Sequence, residues 1–345
     1  MLKFRELLKG METGNDNLDE RVGGIPVRSE QIGFSGGEMI ECGSCRRANP
    51  PNRLQCMYCS AALDLPEAAA NSIHLKLREV ESWEKGFNVV IVPSQISAVT
   101  DAAIRAAESA SIDQELFKLS LEAGHPMPLI RVGSEEEAKT VVMRLETAGL
   151  RIVVVPDEDL KPGVPPVRIR SIDLADGKFS PVTFNSNEVF EHNCSDIVAI
   201  VTGSLIESKT ESTFKKNGKE TKTLDETNFG SDFGVIDVYV GGNTTGYRIT
   251  AHGFDFSCLG AEKSVLAVEN LLRLVDRLRI IAPQARFVSD YVDNRKDLDS
   301  VWQPTRHSES NGLKRSGLGF SLSKGEVTSN AEQFTKYSRL QRILI

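Results

Sequence analysis

The feature that most constrains this 345-residue chain is the segment ECGSCRRANPPNRLQCMYC, which holds four of its six cysteines in two CxxC pairs. Two such turns placed together supply four thiolate donors, the number that a tetrahedral zinc ion requires. The predicted ligands are Cys42, Cys45, Cys56 and Cys59. Because four protein ligands leave no open position for water or substrate, the pattern indicates a structural zinc ion rather than a catalytic one.

The same four thiolates can hold iron in a centre of the rubredoxin type, which is the main alternative for the metal. A thioredoxin-like redox pair fits less well, because that CxxC occurs singly, at the start of a helix that follows a strand. Paired cysteines of this kind are typical of a reducing compartment. The chain has no apolar run of about 18 residues and no secretory signal pattern, so we predict a cytoplasmic protein without a transmembrane segment.

The spacing C-x2-C-x3-N-x6-C-x2-C within residues 39–65 resembles the zinc-ribbon modules of bacterial proteins and also the Ran-binding-protein class of zinc fingers. An Asn-Pro-Pro turn beginning at Asn49, and a hydrophobic residue after the last pair, here Leu63, are features of the bacterial ribbons. Met39 and Ile40 stand ahead of the first cysteine, where the Ran-binding class carries a tryptophan. The resemblance implies a small zinc ribbon at residues 39–66.

The residues around the metal are those that can recognise a partner: Arg46, Arg47, Arg53 and Tyr58. Guanidinium groups can contact phosphates. However, a single aromatic ring offers few stacking platforms for single-stranded nucleic acid, and the net charge of −7 argues against a generally basic surface. We therefore expect a protein partner, with nucleic acid as the alternative.

The rest of the chain predicts a multidomain protein. Residues 86–157 alternate apolar strands with helical periodicity, including a capping box of Ser134 and Glu137, and predict a small α/β domain of the ferredoxin-like or βαβ type. Residues 166–288 carry several strand signals followed by one helix, which predicts an antiparallel β domain whose element order resembles a pleckstrin-homology-like barrel. The predicted connectors are a mobile leader at 1–38 and a linker at 67–85.

Two helices in the last third of the chain carry apolar stripes. The first, which closes the β domain, is expected to bury Val265, Val268, Leu272 and Val275. The second is a terminal amphipathic helix at 329–345, preceded by a disordered tail at 289–328 and opened by a capping box of Ser329 and Glu332. Its stripe includes Phe334, Tyr337 and Leu340. This helix can bind a partner or return to its own domain, and its basic residues also allow weak contact with a membrane surface.

Two groups of residues that are distant in sequence suggest further sites, with weaker support. A second metal site can form if two distant segments meet, although such residues are more often buried and satisfied; its members are His192, Cys194, His252 and Cys258. A pattern D-x10-E-x-K, formed by Asp196, Glu207 and Lys209, superficially resembles restriction-type nucleases, in which two acids hold Mg²⁺ and the lysine assists hydrolysis.

The common phosphate-binding, dinucleotide-binding and nucleophile-bearing motifs do not occur in the sequence. Nothing in it argues positively for catalysis. The sequence therefore predicts an adaptor or regulatory protein that binds other proteins and contains structural zinc. The alternative is a metal-dependent enzyme that processes nucleic acid.

Overall fold

The computed structural model describes residues 21–22, 25–26, 39–50, 53, 56–61, 63–64, 77–78, 80–93, 100–161, 163–217, 220–243, 245–316 and 319–344. The chain divides into two compact units, Met1–Ala70 and Asn71–Ile345. Most of the predicted leader and of the predicted linker lies outside the described residues.

The first unit contains two short antiparallel strand pairs. Strand β1 (Arg21–Val22) pairs with β2 (Ile25–Pro26) inside the predicted leader. Strand β3 (Ile40–Glu41) pairs with β4 (Ala48–Asn49) on either side of the first cysteine pair.

The second unit begins with a three-stranded antiparallel sheet in the order β6-β5-β7. The chain order is β5 (Phe87–Ile91), α1 (Asp101–Ser109), α2 (Gln114–Glu122), β6 (Met127–Val132), α3 (Glu135–Thr147), β7 (Ile152–Pro156) and the one-turn α4 (Asp157–Leu160). Because β5 lies between β6 and β7, these two strands and α3 form a split βαβ unit, as in ferredoxin-like folds. The predicted α/β character of this region is confirmed.

Helix α3 shows why local signals succeeded here. Ser134 accepts a hydrogen bond from the Glu137 N–H at 3.2 Å, and the Glu137 carboxylate accepts one from the Ser134 N–H at 3.2 Å. This is the predicted capping box. Of the apolar stripe that the spacing predicts, Ala138, Val141 and Leu145 are fully buried and Val142 is half-buried.

A nine-stranded sheet forms most of the second unit, in the order β10-β9-β8-β13-β12-β11-β16-β15, with β14 beside β11. The strands of its first part are β8 (Val167–Asp173), β9 (Lys178–Thr183), β10 (His192–Asn193), β11 (Ile197–Asn217), β12 (Glu220–Val240) and β13 (Tyr247–Thr250). The later strands are β14 (Arg286–Val288), β15 (Thr305–Ser316) and β16 (Gly319–Ser329). Two pairs, β8 with β13 and β11 with β14, are parallel. The sheet is therefore mixed rather than purely antiparallel as predicted.

The prediction of a disordered tail at 289–328 is wrong. This segment contains α6 (Tyr291–Asn294), a 3₁₀ turn at Asp297–Ser300, and the hairpin of β15 and β16. Strand β16 pairs with β11 from Glu207–Ser329 to Lys215–Ser321. The polar composition suggested disorder, but hydrogen bonds to a strand about a hundred residues earlier satisfy the backbone.

The last helix is not tethered by a disordered tail, and of the two possibilities that the sequence left open, it returns to its own domain. Helix α7 (Ala331–Ile343) is central to the second unit, and the side chains of Phe334, Tyr337 and Leu340 are each 0% exposed. They belong to a core that extends from Val89 in β5 to this helix. Both sheets share that core, so residues 71–345 pack as one unit, and the stripe is not available to a partner or a membrane surface.

The polar side of α7 is buried as well, which explains why its pattern resembled that of a surface helix. Gln341 donates to the carbonyl of Pro126 at 2.8 Å, and Ser338 lies 2.9 Å from the hydroxyl of Tyr239. Arg339 donates to the carbonyl of Leu160 at 2.9 Å. These bonds offset part of the cost of desolvation, although Gln341 Oε1 and Arg339 Nε are buried without a hydrogen-bond partner among the described residues. The N-cap residue is Asn330, without a side-chain cap, rather than the predicted Ser329.

The helix that closes the β region, α5 (Ala267–Ile281), buries a different stripe from the predicted one. Leu271, Leu274 and Leu278 face the core, together with Asn270. Of the predicted stripe, Val265, Val268 and Leu272 are exposed at 99%, 67% and 61%, and Val275 is half-buried. The two stripes are neighbours on the same helix and have similar periodicity, so spacing alone did not separate them. No helix in the described part of the chain is long and apolar enough to cross a membrane.

A buried ion pair joins two central strands of the large sheet. Asp237 on β12 and Arg248 on β13 face each other in register, with two contacts of 2.7 Å between guanidinium and carboxylate. Arg248 also donates to Thr335 of α7 at 3.1 Å. Asp237 is 0% exposed, so this pair connects the sheet to the last helix away from water.

Replacing Arg248 by Met is expected to cost about 3 to 5 kcal/mol of unfolding free energy, because it leaves the Asp237 carboxylate buried without its partner. Urea denaturation measures this. The matched control is Lys118→Met, which removes the exposed partner of Glu115 and is expected to cost less than about 1 kcal/mol. Equal losses in the two variants would contradict the assignment.

Candidate metal centre

The four predicted cysteines come together. Their sulfur atoms all lie within 4.8 Å of one another. Cys42 Sγ is 3.6 Å from Cys59 Sγ, and Cys45 Sγ is 3.4 Å from Cys56 Sγ. In a tetrahedral zinc site with Zn–S bonds of about 2.3 Å, neighbouring sulfurs are about 3.8 Å apart. The donor set therefore fits one tetrahedral metal ion such as zinc, with each CxxC pair supplying two ligands.

The two cysteine turns follow the same backbone path. The Arg46 N–H donates to the Cys42 carbonyl at 2.8 Å, and the Ser60 N–H donates to the Cys56 carbonyl at 3.0 Å. Arg46 and Ser60 both adopt left-handed φ values, 57° and 59°. This conformation is uncommon outside glycine, and here it closes each turn so that both thiols point to the same place.

The side chain of Asn49 forms hydrogen bonds with both cysteine turns. It is 0% exposed, and its amide nitrogen donates to Cys56 Sγ at 3.5 Å and to the Arg47 carbonyl at 2.7 Å. Its carbonyl oxygen accepts the N–H of Met57 at 2.8 Å. The asparagine thus connects the two cysteine turns, a role that the sequence indicated only as part of the Asn-Pro-Pro turn.

Replacing Asn49 by Ala is expected to lower zinc affinity about 10- to 100-fold, because groups that hydrogen-bond to metal ligands orient them. Competition with a chromogenic chelator measures the change, and the stoichiometry should stay at one zinc ion per chain. Asp64→Ala, at an exposed position of the same module, is the control. Unchanged affinity in the Asn49 variant would show that the cysteine turns hold their geometry alone.

The surroundings of the cluster shift the pKa values of two of its thiols in opposite directions. Burial opposes ionisation of Cys56, but the N–H groups of Tyr58 and Cys59 outweigh it and lower the pKa of this thiol to about 6. The N–H of Arg47 favours the Cys45 thiolate, yet desolvation and the neighbouring thiols raise the pKa of Cys45 to about 12. A bound dication stabilises all four thiolates by its positive charge. Metal binding therefore releases protons from the thiols, and acidic pH weakens metal binding.

The apolar part of the module is very small. Cys42, Cys56 and Leu63 are its buried core, with Ile40 and Ala61 packed against them. The burial of Leu63 agrees with the role expected from the ribbon resemblance. Because so little apolar surface is buried, the metal is expected to supply much of the stability of this module.

The predicted interaction residues of the ribbon lie on its surface. Arg46, Arg47, Arg53 and Tyr58 are all exposed. The Arg47 guanidinium lies over the Tyr58 ring at 4.7 Å from its centroid, a cation–π contact. Beside it, Met57 is 52% exposed and Tyr58 54% exposed. These side chains offer positive charge next to apolar area.

The nuclease-like residues do not come together. Asp196 precedes β11 and caps the turn at Asn193, 3.0 Å from its amide. Glu207 lies eleven residues along the chain, on extended β11, which places it roughly 30 Å away. Lys209 is exposed on the same strand and pairs with Glu211 at 2.7 Å. The three side chains therefore have no common site.

The proposed second metal group is likewise dispersed. His192 lies 2.7 Å from the Tyr247 hydroxyl, and His252 stacks on Phe233 with ring centroids 5.9 Å apart. Cys194 is buried, and burial raises the pKa of its thiol. Among the described residues, the four ribbon cysteines are the group with metal-binding geometry.

Comparison with known proteins returns nothing for this chain: no family model matches, and no curated protein or solved structure is significantly similar.

Proposed function

We propose that this chain is an adaptor or regulatory protein, in which a zinc-stabilised ribbon binds a protein partner. The observation that carries the proposal is the combination of a closed four-thiol site with an exposed surface beside it. Four thiolates fill the coordination sphere of zinc, so the metal stabilises the module and performs no chemistry of its own. Recognition then depends on the side chains around it.

The surface that we assign to recognition consists of Arg46, Arg47, Arg53, Met57 and Tyr58. Exposed arginine, methionine and tyrosine are residue types enriched in protein interfaces. The expected partner is a protein surface that presents carboxylates around an apolar side chain. Carboxylates would pair with the guanidinium groups, and the apolar side chain would pack on Met57 and Tyr58.

The surface of the ribbon suits nucleic acid less well than it suits a protein partner. Tyr58 is its single aromatic ring, and Arg47 already covers one face of it. Single-stranded nucleic acid usually binds where several rings can stack on successive bases. The nuclease alternative has lost its candidate residues, because Asp196 precedes β11 whereas Glu207 and Lys209 lie eleven or more residues further along it.

The experiment is a quantitative affinity purification of the full chain, in parallel with the double variant Arg47→Ser/Tyr58→Ser and a control variant, Arg105→Ser, at an exposed position of the second unit. We expect at least one protein to be retained by the wild type and the control and lost by the double variant. The zinc content of all three should be equal.

A recovered protein must then be purified and titrated against the same three chains. Binding that the double variant weakens about tenfold or more supports the proposal, since that is the loss expected at an interface hot spot. Unchanged binding by the double variant refutes the assignment of this surface. Tight, salt-dependent binding of RNA or DNA through the same residues would replace a protein partner by nucleic acid.

A further inference from the structure

A cavity of 540 Å³ lies inside the second unit, where α7 meets the three-stranded sheet and the segment after α6. Its walls include the apolar side chains of Ile112, Leu129, Val301 and Trp302. Gln333 and Lys336 of α7 also line it. The volume is within the range of about 300 to 1,000 Å³ that is typical of small-molecule sites.

Lys336 is the unusual member of this lining. Its side chain is 10% exposed, and the nearest carboxylate oxygen, of Asp157, is 3.9 Å from its Nζ. At that distance the two groups form an ion pair, but they are too far apart for a hydrogen bond. Its ammonium has three N–H groups, and no described residue accepts a hydrogen bond from any of them.

The carboxylate of Asp157 already forms an ion pair and hydrogen bonds with other groups. Its carboxylate contacts the Arg131 guanidinium at 2.7 Å. It also accepts the N–H of Gly86 at 2.9 Å and the side-chain amide of Asn88 at 3.0 Å. Arg131 and Lys336 together carry two positive charges against the single negative charge of Asp157. The half-buried Glu332, which lines the same cavity, also acts on Lys336 through its charge, so what the ammonium lacks is a hydrogen-bond acceptor for its buried charge.

Such a charge is costly unless a partner accepts its hydrogen bonds. Burial lowers the pKa of Lys336, which Asp157 only partly offsets. An anion placed in the cavity would accept the hydrogen bonds that Asp157, at 3.9 Å, does not accept. Lys336 contributes a point charge with freely rotating donors, which suits a carboxylate oxygen.

The other lining groups limit which anion fits. Glu81 and Asp113 are exposed, and Glu332 is half-buried. They disfavour a second negative charge on a ligand, since like charges repel. The lining cations other than Lys336 are already paired, Arg78 with Glu84 and Arg131 with Asp157. The apolar walls favour a ligand with a hydrocarbon or aromatic body.

We infer that this cavity binds a small organic monocarboxylate, with its carboxylate on Lys336 and its apolar body against Leu129, Val301 and Trp302.

Trp302 provides a direct signal for binding. It is one of two tryptophans, is 2% exposed, and lines the cavity, whereas Trp83 is 78% exposed. In a Trp83→Phe background, the emission of the full chain comes from Trp302 alone. The probes are octanoate, octanamide, which has the same length without the charge, and suberate, which adds a second carboxylate.

We expect octanoate at millimolar concentration to change the emission of Trp302 with saturation. Octanamide and suberate should each bind about tenfold more weakly or worse, the difference expected for one charge-assisted hydrogen bond lost or one repulsion gained. Lys336→Met should weaken octanoate to the affinity of the amide. The control Lys139→Met removes an exposed lysine of α3 and should change nothing.

Three results would overturn the inference: no saturable response to octanoate, equal affinities for octanoate and octanamide, or unchanged octanoate affinity in a folded Lys336→Met chain. If that variant does not fold, the comparison of octanoate with octanamide on the unmodified lysine still decides the matter. Tighter binding of suberate than of octanoate would also refute the monoanion assignment.

Discussion

Deleting residues 330–344 is expected to prevent the second unit from folding. The deletion removes three side chains with 0% exposure, Phe334, Tyr337 and Leu340, from the shared core. Truncating one such side chain typically costs about 2 to 5 kcal/mol, and a whole domain is stable by only about 5 to 15 kcal/mol. The loss of all three, with the polar partners of α7, therefore exceeds what the unit can tolerate. Circular dichroism and the soluble yield measure the outcome.

A single substitution makes the same test quantitative. Leu340→Ala is expected to lower the unfolding free energy by about 2 to 5 kcal/mol because of the cavity that it creates. Ile343→Ala, three residues later on the same helix, removes a side chain that is 41% exposed and should cost about 1 kcal/mol or less. Similar costs at the two positions, or a deletion variant that melts cooperatively near the wild-type temperature, would contradict the burial of α7.

Removal of zinc is expected to unfold residues 39–64 and to leave the second unit folded. Structural zinc contributes about 10 to 16 kcal/mol of apparent binding free energy in small zinc modules near neutral pH, and the buried core of this one is only Cys42, Cys56 and Leu63. The second unit has its own cores, which contain none of these residues. Limited proteolysis with a strong chelator should cleave the ribbon first, while the melting temperature of residues 71–345 stays unchanged.

Two cysteine variants control for effects of the chelator itself. Cys59→Ser removes a ligand and is expected to reproduce the protease sensitivity and to abolish stoichiometric zinc. Cys258→Ser removes a half-buried thiol outside the cluster and should retain one zinc ion per chain. A ribbon that resists protease without metal would show that the module does not depend on the ion.

The parts of the structure that sequence predicted are those whose causes are local. The CxxC spacing determines the metal cluster, because each turn is complete within a few residues. The same holds for α3, where Ser134 and Glu137 cap the helix within one turn. Neither feature depends on partners elsewhere in the chain.

The parts that sequence did not predict depend on distant partners. Gln341 is polar and yet 0% exposed, because its amide reaches a carbonyl 215 residues earlier, at Pro126. Strands β15 and β16 are polar in sequence and form because β16 pairs with β11 and β15 pairs with β16. The Lys336 cavity combines five segments of the chain, which lie between residues 77 and 336. No local pattern contains this information. Hydropathy therefore placed Gln341 on a surface helix and β15 and β16 in a disordered tail, and it indicated no site at Lys336.

The position of α7 in the chain also has a consequence for synthesis. The side chain of Trp302 bonds to Asn88 across 214 residues, and that of Gln341 to Pro126 across 215. At about 5 to 20 residues per second, a ribosome needs roughly 10 to 40 seconds to cover that separation. During this time β5 and β6 have emerged without the elements that cover them. The nascent chain is therefore exposed to aggregation for tens of seconds, a period in which ribosome-associated chaperones can bind it.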